Sequence, residues 1–179
     1  MQNLNRFSAH QIKIVNRTVS LAEELVSDHY KMSASQWLRP KYDVKTLVDL
    51  TPEEIVDGPF AQIVRYEGHR QDNALGSGVF DYYKICLQDH AIHAVLQNSP
   101  SMNLFPFCLY IITHELIHIV RFSKFLQRFD ASPQEKLNEE KRVHVSTHQI
   151  LEPIKVTGMS AVLEFYSKWR QPLEGMSTG

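Results

Sequence analysis

Apolar residues recur every three or four positions from Ser8 to about His29, with Ile12, Val15, Val19, Ala22 and Val26 on one face. That period predicts an amphipathic helix with Ser8 as its N-cap. A loop around Trp37-Leu38-Arg39-Pro40 follows. Thr51-Pro52-Glu53-Glu54 has the spacing of a capping box with proline at the first helical position. A short helix therefore starts there and ends near Gly58-Pro59. The pattern then changes. Phe60 to Tyr66 and Val79 to Leu87 are rich in β-branched and aromatic residues and read as strands. Between them, Gly68 to Gly78 carries Asp72-Asn73 and suits a broad hairpin or loop.

The second half is helical in period. His90 to Leu96 reads as a short helix, and a long one begins at Asn103 or a neighbour and runs to about Phe129. Asp130-Ala131-Ser132-Pro133 breaks it, and Ser132-Pro133-Gln134-Glu135 is a second capping signature. The helix after it runs through Ile150, with Pro153 as a break or kink, and Thr157 to Trp169 forms the last one. Glu174 to Gly179 reads as a frayed end. Strands early and helices late make an α+β pattern. No repeat or linker divides the chain, so residues 1–179 read as one domain.

Composition narrows the classes. A chain of 179 residues with 43% hydrophobic and 22% charged residues can bury a core, which excludes disordered, collagen-like and disulfide-scaffold proteins. Nineteen basic residues against 20 acidic ones, without a Lys/Arg cluster, argue against a nucleic-acid partner. The apolar run from Phe105 to Ile112 is interrupted by Pro106 and is too short to span a bilayer, so no membrane partner is expected. The first six residues lack the apolar stretch of a signal peptide, and Cys86 and Cys108 are the only cysteines. Both point to the reducing cytoplasm. Oligomeric state stays open.

Histidine is the unusual residue. There are nine, four of them in two H-x-x-x-H pairs. In His114-Glu115-Leu116-Ile117-His118 the two imidazoles lie one turn apart on a helix face and can direct nitrogens to one metal. Glu115 projects to the side, where it can act as a general base. The surrounding Phe105 to Val120 stretch is apolar nearly all round, which marks a buried helix where an ionisable triplet needs bonded partners or a metal. A third ligand is required. On the next helix Leu137, Glu140, His144, Thr147 and Leu151 form an inward stripe by spacing. Glu140 can supply the carboxylate, and His144 a hydrogen bond to a ligating residue. His118 and Glu140 are 22 positions apart, room enough for a turn and an antiparallel return.

This arrangement resembles the gluzincin metallopeptidases of the zincin-like fold, in which a glutamate on a later helix follows H-E-x-x-H. Glu140 and His144 match that helix's ligand and the supporting residue one turn on. The resemblance covers about Ile111 to Leu151 and leaves the first half unmatched. It implies a small antiparallel or mixed sheet, to which Val79 to Leu87 could supply an edge, before a buried active-site helix and a glutamate helix. It also implies one Zn2+ per chain held by His114, His118 and Glu140, with Glu115 as the base of a hydrolase acting on a peptide or protein. Asn138-Glu139 mimics the family's common Asn-Glu pair, so Glu139 is a rival ligand, although Val143 lies one turn beyond it. No Gly and third histidine follow at metzincin spacing.

Other readings stay open. His144 could itself ligate, or the His144/His148 pair could build a second metal site with Glu140. The domain could bind metal as a sensor or interaction module without catalysis, and two histidines with one carboxylate also suit non-haem iron. Asp89, His90 and His93 offer a further metal-compatible spacing, while Cys108 reads as a buried apolar residue.

Overall fold

The computed structural model describes residues 4–33, 35–36, 41–69 and 79–170. The expected loop at Trp37 to Pro40, most of the one at Gly68 to Gly78, and the Glu174 to Gly179 end lie outside these residues. Helix α1 spans Ala9–Tyr30 and starts where its cap predicts. Ser8 Oγ accepts from the Gln11 amide at 3.2 Å, and Gln11 returns the bond to the Ser8 amide at 2.8 Å. Its buried stripe is Val15, Thr18, Ala22 and Val26.

Three strands follow: β1 (Lys41–Lys45), β2 (Ala61–His69) and β3 (Val79–Leu87). Their order is β1-β3-β2, with β3 parallel to β1 and antiparallel to β2. The sheet is therefore mixed. β1 is an element that the sequence pattern did not show. Lys-Tyr-Asp-Val-Lys has too few apolar residues to signal a strand, and its extended form depends on the ladder that pairs Val44 with Ile85. Tyr83, Ile85 and Leu87 are buried on one face of β3, and α3 packs against β2 and β3. Thr51 and Glu54 form the expected capping box, but the turn is a single 3-10 turn, Pro52–Glu54, rather than a helix reaching Gly58.

The helices of the second half are α2 (Asp89–Asn98), α3 (Leu104–Ser123), α4 (Pro133–Leu151) and α5 (Met159–Phe165), followed by a 3-10 turn at Ser167–Arg170. Every residue of α3 from Pro106 to Val120 is buried except Glu115. α3 is long and apolar enough to cross a bilayer, unlike the shorter run read from sequence, but 78% of that stretch is buried by its own chain, as in the core helix of a soluble protein. It ends six residues before the expected Phe129. Phe125 takes a left-handed conformation (φ 57°), and the Leu126 amide donates to the Arg121 carbonyl at 2.9 Å. This is a Schellman closure with phenylalanine where glycine is usual, so the stop carried no sequence signal. α5 begins later than Thr157. Gly158 precedes it at φ 86°, and a Cβ there would lie 3.0 Å from Asn103 Nδ2.

A polar cluster closes the other face of the sheet. The Glu54 carboxylate is 3% exposed and 2.7 Å from Lys84 Nζ, with the Cys86 thiol 3.5 Å away. The hydrogen bond from Lys84 outweighs burial and holds Glu54 at about 2, against an ordinary 4.5. Folding thus favours the ionised form. Its stabilising contribution is complete above about pH 4.5 and is lost as pH falls toward 2. We expect the wild type to lose on the order of 2 kcal/mol more than Glu54→Gln across that window, solvent just beyond the pair reducing the full value. Urea unfolding at a series of pH values measures it; parallel loss in both proteins would remove the ion pair as the cause.

Candidate metal centre

α3 and α4 run antiparallel. Arg121 meets Glu139, His118 meets Glu140, and Tyr110 meets His144, so later residues of α3 face earlier ones of α4. The structure brings His114, His118 and Glu140 together, with one ligand atom from each within 4.8 Å of the others. His114 Nε2 lies 3.1 Å from Glu140 Oε2, His118 Nε2 lies 2.8 Å from Glu140 Oε1, and the two Nε2 atoms are 3.2 Å apart. Ligand atoms held tetrahedrally at about 2.0–2.1 Å from a zinc ion stand about 3.3 Å from one another. The three separations are close to that figure, with each carboxylate oxygen of Glu140 facing one of the two imidazoles.

The hydrogen bonds around His118 give the arrangement its chemistry. Its Nδ1–H donates to Gln127 Oε1 at 3.0 Å, because a carbonyl oxygen can only accept. A neutral His118 therefore turns a bare Nε2 lone pair toward the Glu140 carboxylate and toward His114 Nε2. Facing lone pairs need a shared proton or a shared cation. Burial opposes charge on His118, but the hydrogen bond and field of Glu140 with the field of Glu115 raise its pKa overall. Burial likewise opposes the Glu140 carboxylate, and His114 and His118 still hold it well below the carboxylate range. A divalent cation would take the place of the shared proton. His114 Nδ1 is buried without a hydrogen-bond partner among the described residues.

Glu139 is elsewhere. Its two oxygens accept from Arg121 Nε and Nη2, each at 2.8 Å, and from Arg142 Nη1 at 2.7 Å. The expected inward stripe on α4 needs correcting with it. Leu137 is 40% exposed, and the buried face is Glu139, Val143, His144, Thr147, Ile150 and Leu151. The two guanidinium groups make Glu139 affordable inside, a partnership the helical period cannot show. Glu140 lies at the edge of this face, its side chain 38% exposed.

His144 reaches the carboxylate rather than an imidazole nitrogen. Its Nε2 is 3.5 Å from Glu140 Oε2, its Nδ1 shares a hydrogen bond with the Tyr110 hydroxyl at 2.8 Å, and its ring lies 4.2 Å from that of His114. Burial, then the neighbouring charge of His114, pushes it down to about 2, so it is neutral near pH 7. If the Tyr110 hydroxyl donates, His144 Nε2–H faces Glu140; if it accepts, a lone pair does. His148 pairs with Glu152 at 3.3 Å and stands outside the cluster. Asp89 binds the amides of Phe7 and Leu47, while His90 and His93 bond the backbone oxygens of Val56 and Arg6, so that triplet is not a site. Cys108 is buried and its thiol is pushed up to about 12.

Two residues of the centre escaped sequence reasoning. Tyr110 sits one turn before His114, a spacing that could have drawn attention to it. Gln127 had no signal, because it follows a helix end that was itself hidden. Glu115 leaves the buried face of α3 and lines two adjoining cavities together with Glu140 and Ala61. Burial raises its carboxyl pKa against the lowering fields of His114 and His118.

These positions give the two glutamates separable roles. We expect Glu140→Gln to weaken zinc binding more than tenfold and Glu139→Gln to leave it nearly intact, as read by titration against a competing chelator. Glu139→Gln should instead cost about 2–3 kcal/mol in urea unfolding, because it strands the largely buried Arg121 charge. The reverse pattern would mean that Glu139 is the ligand. No protein family, curated protein or solved structure matches this chain, and the reading of the centre rests on its own donor atoms.

Proposed function

We propose that this chain is a zinc-dependent hydrolase of the gluzincin kind, a small zincin-like metallopeptidase that holds one metal ion through His114, His118 and Glu140. The observation that carries this reading is the convergence of donor groups: His118, with Nδ1 on Gln127, turns Nε2 toward His114 Nε2 and the Glu140 carboxylate. When bound, zinc supplies Lewis acidity and acidifies a water ligand.

The chain's own groups do the rest. Glu115 stands beside the triad at the meeting point of both cavities, where a substrate carbonyl has access. Its carboxylate accepts a proton from the attacking water and returns it to the leaving amine nitrogen. With the Tyr110 hydroxyl donating to its Nδ1, His144 would turn Nε2–H toward the second oxygen of Glu140, 3.5 Å away, and orient it. The free cysteines Cys86 and Cys108 agree with a reducing compartment, which we take to be the cytoplasm.

The donor set of two imidazoles and one carboxylate also favours a second reading, a non-haem iron(II) protein. Elemental analysis of protein purified without added metal separates the two, and we expect about one zinc per chain. Glu115→Gln should keep that zinc and the melting temperature while cleavage of casein or a peptide library falls by about 10²–10⁴-fold. Loss of zinc from Glu115→Gln would make Glu115 a ligand. Zinc at full occupancy with no cleavage by the wild type would make the chain a metal-binding module.

A further inference from the structure

The two cavities that meet at Ala61, Glu115 and Glu140 differ in chemistry. The first, about 330 Å³, is walled by Phe60, Tyr110, Tyr166 and Trp169. Its aromatic lining is packed ring on ring: Tyr110 and Tyr166 stack at 4.0 Å, and Trp169 lies on the His144 ring at 4.5 Å. Among the described residues, Glu115 and Glu140, at the junction, are the only carboxylates that line it, and no lysine or arginine does. The second, about 410 Å³, is floored by Ile63, Phe122 and Phe129 and carries two cations, Arg128 and Lys136.

Those cations are available to a ligand. Lys136 is exposed, stands one helical turn before Glu140 on α4, and makes no ion pair among the described residues. Arg128 pairs with Asp130 at 3.5 Å between two exposed side chains, an interaction worth little in water. Both cations are on one side of Glu115, and the aromatic wall is on the other. A chain laid through both cavities past Glu115 therefore meets an apolar, ring-shaped space before the junction and positive charge after it.

We propose that the cleft takes a peptide with an aromatic side chain on one side of the bond to be cut and an acidic side chain on the other. The ring occupies the cavity of Phe60, Tyr166 and Trp169, where it stacks and displaces water. The carboxylate is placed at Lys136 and Arg128. This assignment rests on the peptidase reading, but its chemistry can be tested by binding alone.

The test uses the zinc-loaded Glu115→Gln protein and fluorescence anisotropy of labelled hexapeptides that place the two side chains at adjacent positions, in both orders. Three sequences are compared: phenylalanine with glutamate, phenylalanine with lysine, and alanine with glutamate. We expect the first to bind about tenfold more tightly than either of the others. Lys136→Glu should cut the preference for glutamate over lysine by about fivefold or more, the scale of one exposed ion pair made repulsive, without changing the melting temperature. Equal binding of the glutamate and lysine peptides, a preference indifferent to Lys136→Glu, or no binding of any of the three would overturn the proposal. Selective binding without cleavage by the wild type would support the cleft's chemistry and count against the peptidase reading.

Discussion

A helix buried on nearly every side cannot leave two imidazoles unpartnered, and the rest of this structure follows from that constraint. α3 sets Leu109, Ile112, Leu116 and Ile119 into the core and His114 and His118 on its opposite face, buried yet bordering the two cavities. Partners have to come from neighbouring chain. Gln127 reaches one nitrogen from the loop that closes α3, and Glu140 reaches two from α4. The loop conformation, the placement of α4 and the exposure of Glu115 at the single gap in the buried surface all serve the same polar edge of an otherwise apolar rod.

That edge was legible because it breaks a pattern. Apolar residues surround H-E-x-x-H so densely that the motif stands out, and the capping signatures at Ser8 and Ser132 locate the starts of α1 and α4 to the residue. Elements held by partners distant in sequence were not legible. β1 has almost no strand character of its own and exists because β3 offers it a ladder. The end of α3 depends on a phenylalanine accepting a left-handed backbone, which no propensity signals. On α4 the period placed His144, Thr147 and Leu151 inside but wrongly added Leu137 and missed Glu139, which occupies a buried position supported by guanidinium groups from α3 and from its own next turn.

The same contrast separates the parts of the centre. Ligand candidates are spaced by helix geometry, so their positions could be reasoned from the number of residues per turn. The groups that orient them, Tyr110 and Gln127, are fixed by how two helices and a loop meet, which is tertiary information. Chemistry written along one helix can be read from sequence; chemistry assembled between elements has to be seen.

The Arg121–Glu139 pair has a consequence beyond its charge. α4 presents a new residue every 100° of rotation, so any rolling of the helix about its axis swings the Glu140 carboxylate sideways past the imidazoles. The guanidinium of Arg121 grips Glu139 with two parallel bonds, and a two-point grip resists rotation where a single bond would act as a swivel. Glu139 is thus the keyway of the helix and Glu140 the tooth next to it. Precision at the centre is set mechanically, one residue away, by a pair that takes no part in its chemistry.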